Sequence, residues 1–271
     1  MQNQLKTAIR FDDFLAVFGA QGVVAMAWWL GAKHGAQIRT EEQGFPFLYV
    51  TGPAGSGKTT LLSYLSALNG VDSVTCYAPA YATPQGLARI LANAGEQPVI
   101  LEDGYDAERR FDWSQLAPLY DGGSVSVSQS EQAEITFKGT LVISATPPLK
   151  CSQAFTSRTV HIDLNTPHTA NSRHHAQAMQ QFTAEQANKF SHAVQKQADQ
   201  TINMVRRLAP AYAASLYDNH SAQPTARAAQ IGGLLMALVD VLSLLLNLSD
   251  EQRRKALAQV EQNVVMADLP Y

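Results

Sequence analysis

The segment Gly52-Pro-Ala-Gly-Ser-Gly-Lys-Thr59 carries the most definite chemistry in the chain, because it satisfies the spacing GxxxxGK[ST]. Its glycines let consecutive backbone N–H groups turn inward around phosphate oxygens at the start of a helix. Lys58 adds a point charge for the β and γ phosphates, and the Thr59 hydroxyl is a ligand for Mg2+. Gly52, Pro53, Ala54, Gly55, Ser56, Gly57 and Thr60 complete the cradle. The expected ligands are ATP and Mg2+.

A second constellation follows the apolar run Val99-Ile-Leu101, which ends in Glu102 and Asp103. Such a strand end delivers one carboxylate to the water shell of Mg2+ and another to orient or deprotonate the attacking water. Here the pair runs Glu then Asp, the reverse of the commoner order, so the division of labour stays open. Thr146, at the end of a later strand, is expected to reach toward the γ phosphate. Arg158 stands before the last strand, where a ring subunit can point an arginine at its neighbour's nucleotide. Arg227 begins a helical stretch after Pro224 and is expected to aim a second arginine at bound nucleotide from a lid helix.

The elements that must hold these groups divide the chain into three zones by hydrophobic period. Residues 1–45 read as helical, 46–166 as an α/β core, and 167–271 as a helical lid or bundle. Within the core, strands are expected over 47–51, 71–77, 98–101, 140–144 and 159–164, with helices over 58–68, 84–94 and 113–119. Around a polar tip at 128–134, Val125, Val127, Ile135 and Phe137 alternate with polar residues as in a β-hairpin. Ser249 is the expected N-cap of a charged last helix.

Hydrophobic residues make up 46% and charged residues 16% of the 271, which describes an ordered globular chain. A net charge of -3 argues against a surface that is basic all over, so any basic surface is local. Two distant cysteines, Cys76 and Cys151, fit a reducing compartment, and a cytoplasmic location is expected. Residues 14–32 and 231–248 are apolar enough to raise the question of a membrane. Buried helices are expected instead, since small residues dilute the first and Asp240 interrupts the second.

Taken together, these motifs resemble the ATPase core of the AAA+ superfamily, and are most similar to the superfamily 3-like helicase domains of phage and mobile-element primase-helicases. The resemblance covers about residues 20–166. It implies a P-loop NTPase with a parallel sheet and a pre-sensor β-hairpin, flanked by N-terminal and C-terminal helical regions. It also implies a ring, commonly a hexamer, that draws single-stranded DNA through its pore in phage or mobile-element replication, with a primase or initiator as a further partner. Two departures stand out. Thr146 replaces the asparagine usual at the first sensor, and the hairpin tip holds no Lys, Arg or aromatic residue, with only Lys138 nearby. The alternative reading is an AAA+ ATPase that remodels or loads a protein partner.

Overall fold

The computed structural model describes residues 2–71, 74–103, 110–126, 134–146, 149, 151–165, 170–219 and 224–267. Five strands form a parallel sheet: β1 (Phe47–Thr51), β2 (Cys76–Tyr77), β3 (Pro98–Glu102), β6 (Thr140–Ala145) and β7 (Thr159–Asp163). Their order across the sheet is β2-β3-β6-β1-β7. The remaining strands, β4 (Ser124–Ser126) and β5 (Glu134–Thr136), pair antiparallel by themselves.

Burial explains the strand patterns. Every residue of β1 and β6 is buried, as expected of inner parallel strands covered on both faces. At one edge, β7 buries only Val160 and Ile162 and so keeps an alternating sequence. At the other edge, β2 is shorter than the strand expected over 71–77. Thr75, Cys76 and Tyr77 are exposed, so little apolar burial is available to extend the pairing with β3.

Helices cover the sheet. Before it come α1 (Gln2–Ala8), α2 (Phe11–Ala32) and α3 (Gly35–Glu42). Between strands lie α4 (Lys58–Ala67), α5 (Pro84–Asn93) and α6 (Gln153–Thr156), with a 3-10 helix over Trp113–Asp121. After it follow α7 (Ala170–Met179), α8 (Ala184–Lys196), α9 (Ala198–Asn219), α10 (Ala226–Leu246) and α11 (Asp250–Ala267). The boundary expected at 166 falls outside the described residues.

Both α2 and α10 are long and apolar enough to cross a membrane by length and composition alone. In the fold they pack on each other, and the most apolar windows are 67% and 78% buried, as in the core helices of a folded domain. Trp28 is fully buried and donates from Nε1 to the Pro46 carbonyl at 2.8 Å, which fixes α2 to the start of β1. Burying an aromatic of this kind stabilises by about 2–3 kcal/mol. Asp240, the charge in the middle of α10, accepts from Arg253 at 2.6 Å and from Tyr212 at 2.8 Å. Ser249 caps α11 as expected, accepting from the Gln252 N–H while Gln252 Oε1 accepts from the Ser249 N–H.

One break shapes the site. Within α2, Gly19 adopts φ 55 and ψ -147, a left-handed conformation that glycine tolerates and a β-carbon would strain. The break redirects the turn containing Val17 and Phe18, and both line the cavity over residues 55–60.

Candidate nucleotide site

Strand register sets the geometry. Thr51 pairs with Ala145 and with Asp163, and Glu102 pairs with Ser144, so β1, β3, β6 and β7 end level with one another. Parallel α/β sheets bind ligands in the crevice outside these carboxyl ends. Gly52 follows β1, Asp103 follows β3 and Thr146 follows β6, which brings three of the expected groups to one edge of the sheet.

The loop of residues 52–57 bends tightly at that edge. Gly52 has φ 148, and a β-carbon there would stand 2.4 Å from Ser56 Oγ and 2.9 Å from the Leu164 carbonyl. No other residue fits that approach. Gly57 is the N-cap of α4, whose first turn contains Lys58, Thr59 and Thr60. The N–H groups of a first turn have no partner within their helix, so they face the loop as donors. Ser56 Oγ is buried without a partner. Lys58 Nζ donates to the carbonyls of Gly52 at 2.6 Å and Pro53 at 3.1 Å, which stretches the side chain back across the loop.

Over this loop lies a cavity of about 330 Å³, closed by Val17 and Phe18 of α2 and by Ser172, Arg173 and Ala176 of α7. Arg173 went unnoticed in the sequence because α7 carries no motif. Its exposed guanidinium stands on the loop's own cavity, where Arg227 had been expected.

The two carboxylates differ in surroundings. Glu102 is exposed at the end of β3, and its charge opposes the effect of burial, which lowers the Lys58 ammonium below its ordinary value. The two groups therefore lie within electrostatic reach of each other. Asp103 is half-buried, its N–H donating to the Ser144 carbonyl at 2.9 Å. Burial pushes its carboxyl above the ordinary aspartate value, and a hydrogen bond from the Trp113 side chain opposes that rise. Trp113 also went unnoticed in the sequence, where it only begins the short helix expected over 113–119.

A magnesium ion fits this donor set. Mg2+ takes one or two protein oxygens and completes its octahedron with phosphate and water. Thr59 with Glu102 or Asp103 would offer that number, and no group of three or more His, Cys, Asp or Glu side chains that could hold a metal occurs among the described residues.

Arg158 and Arg227 lie elsewhere. The Arg158 carbonyl accepts from the Phe47 N–H at 2.9 Å, at the beginning of β1 and β7. A strand of this length spans about 13 Å, which separates Arg158 from its own loop. Its guanidinium donates to the Ala154 carbonyl and stands 5.7 Å from the centroid of the Tyr120 ring. Arg227 stands 5.9 Å from the same ring and 3.4 Å from Ser157 Oγ. The structure thus brings Arg227 to Arg158 and does not bring it to the loop, because α10 packs its first turn against the segment before β7.

The expected hairpin precedes β6, with Val125 opposite Ile135. Its tip at 127–133 lies outside the described residues. Arg39 holds its base, donating to the carbonyls of Tyr120 at 3.2 Å, Phe137 at 3.5 Å and Gly139 at 2.6 Å.

No protein-family model and no curated protein matches the chain. Among solved structures it is similar to SCCmec type IV Cch, an active helicase, at a TM-score of 0.65 and 12% identity, over 95% of this chain and 51% of that one. The chain has a helicase-like α/β fold. It spans about half the length of Cch. The JCV helicase, at 16% identity over 97% of this chain and 73% of that one, superposes with a TM-score of only 0.32.

Proposed function

We propose that this chain is an ATP-hydrolysing subunit of an AAA+-like ring that acts as a helicase or translocase on DNA, in the replication of a phage or mobile element. The observation that carries this reading is the convergence of the 52–60 loop, Glu102, Asp103 and Thr146 at one end of the sheet. Likeness in fold to an active helicase supports the choice of motor. In this reading ATP lies in the cavity above α4, with its phosphates on the first-turn N–H groups, Lys58 and Arg173. A bound Mg2+ would be held by Thr59 and Glu102, and would neutralise charge between the β and γ phosphates.

The division between the carboxylates follows from their surroundings. Glu102 is exposed and within electrostatic reach of Lys58, which suits the metal's water shell. Asp103, held by Trp113 and raised by burial, is the base that orients and deprotonates the attacking water. Thr146 positions that water from the neighbouring strand end. Turnover stimulated by single-stranded DNA tests the motor reading, and stimulation by a protein alone would favour the remodelling ATPase instead. The absence of Lys, Arg and aromatic residues from the tip sequence 128–134 favours that second reading. A cytoplasmic location and a primase or initiator partner belong to the same proposal.

Two outcomes test the site. Arg173→Ala should weaken ATP binding about tenfold, since a charge-assisted hydrogen bond contributes on the order of 1.5 kcal/mol. Titration with a fluorescent ATP analogue measures this, and an affinity within twofold of the parent would remove Arg173 from the site.

The second outcome concerns pH. Asp103 must be charged to act, and its Trp113 hydrogen bond favours the charged form. Trp113→Phe removes that bond and raises the carboxyl further. Activity should then be lost at a higher pH on acidification than in the parent protein. An acid limb of the kcat profile that stays in place would show that Asp103 is not the titrating base.

A further inference from the structure

A second cavity, of about 290 Å³, lies between the end of α4, the end of α5 and the start of β3, with Trp29 of α2 in its wall. Strand β3 runs from Pro98 at this cavity to Glu102 at the nucleotide edge, about 13 Å away, so the two cavities sit at opposite ends of the sheet. Its volume is close to the lower bound of small-molecule sites, roughly 300 Å³.

The walls leave polar atoms unpaired. Trp29 is buried, and its indole Nε1 has no partner. The adjacent Trp28 shows how the fold treats such a group when its role is structural, because that Nε1 donates to the Pro46 carbonyl. Asn69 adds two more atoms, since both Oδ1 and Nδ2 of its amide are buried without a partner. Its backbone is well held. The Asn69 and Val71 N–H groups both donate to the Ser66 carbonyl, at 2.9 and 3.2 Å, in the turn that closes α4. A buried polar group left unpaired is costly, and three of them at one cavity make a site that the chain itself does not complete.

The rest of the lining decides what fits. Val74, Ile90, Val99 and Ile100 are apolar, and no Asp, Glu, Lys, Arg or His lines the cavity among the described residues. An ionised ligand would lose its hydration there without gaining a counter-charge. Tyr77, exposed on the edge strand β2, stands at the rim and supplies an aromatic ring.

We infer that this cavity is a second binding site, separate from the nucleotide cavity, for an uncharged planar heterocycle the size of a free nucleobase. An Asn amide presents an acceptor and a donor side by side, and it pairs with a heterocycle edge of matching pattern, as with N6 and N7 of adenine. Asn69 takes that edge, Trp29 Nε1 donates to a further ring acceptor, and the Tyr77 ring covers the heterocycle at the rim. A free base suits the lining better than a nucleotide, whose phosphate would find no cation here.

Calorimetry on the full chain, with free adenine, hypoxanthine, cytosine and uracil as probes, tests the inference. At least one base should bind, and its affinity should be the same when a non-hydrolysable ATP analogue saturates the protein. Asn69→Leu should weaken that binding tenfold or more, the usual loss when a bidentate pair is removed. Should Asn69→Leu fail to fold, Trp29→Phe keeps the aromatic ring and removes only the N–H, and a weakening of the same order is expected. Failure of all four bases to bind at millimolar concentration would overturn the inference and leave ordered water as the partner of these atoms. Binding abolished by the ATP analogue would assign the base to the nucleotide cavity instead. Binding unchanged in the folded variant would remove it from this cavity, and either result overturns the inference.

Discussion

Lys58→Ala is expected to reduce ATP turnover by roughly a thousandfold or more, because it deletes the cation closest to the phosphate cradle at the moment when charge develops there. In the present geometry Lys58 Nζ is already stretched across the loop between two carbonyls, at 2.6 and 3.1 Å from Gly52 O and Pro53 O. Exchanging those neutral acceptors for phosphate oxygens requires little reorganisation, so much of its contribution falls on the transition state. Burial lowers the Lys58 ammonium while the charge of Glu102 opposes that effect.

Folding should survive the change. The side chain is half-buried and its partners are loop carbonyls that solvent can reach, so a stability loss of about 1 kcal/mol or less is expected. Phosphate release and a thermal melt recorded on the same preparation measure both quantities. Hydrolysis at the parental rate by a folded Lys58→Ala protein would end the ATPase reading altogether.

Much of the scaffold is legible in the sequence because its inner strands are buried on both faces. Phe47-Leu-Tyr-Val and Leu141-Val-Ile are unbroken apolar runs, and each stops at a polar or glycine residue that the register brings to the sheet's carboxyl edge. The loop is legible for a different reason: a Gly52 β-carbon would collide with Ser56 and the Leu164 carbonyl, so chemistry there demands a fixed residue type. At an edge strand neither constraint operates. Val71, Val74 and Cys76 look like a strand, yet Val71, Thr75, Cys76 and Tyr77 are exposed, and β2 keeps only two residues.

Side chains that approach from helices leave no trace of their target. Arg173 sits beside two histidines in a helix without a motif, and only the packing of α7 on α2 carries it over the loop. Arg227 was recognisable as an arginine at the start of a helix following a proline. Which end of the sheet it meets depends on how α10 lies against α2, α9 and α11, a tertiary fact that no local pattern encodes. Trp113 illustrates the same limit. It begins an expected helix, but its contact with Asp103 joins two segments separated by residues outside the described structure.

Arg158→Ala should bind ATP as tightly as the parent protein and hydrolyse it on the order of a thousandfold more slowly, the usual effect of losing an arginine finger. The geometry explains why binding is spared. Arg158 lies about one strand length, ~13 Å, from its own loop, beyond the reach of any interaction with nucleotide bound there. Its carbonyl accepts from the Phe47 N–H, so the substitution leaves the backbone pairing at the start of β1 intact. Hydrolysis should therefore depend on assembly, with activity per chain falling as the protein is diluted. Mixing Arg158→Ala with Lys58→Ala provides the direct test. In a randomly mixed ring, about a quarter of the interfaces combine an intact Lys58 with a neighbour's intact Arg158, so activity should return to that order. Two inactive variants that co-assemble and recover nothing would falsify the shared site. Arg158 would then be a structural residue of the β7 edge, bound to Ala154 and Tyr120 for packing alone.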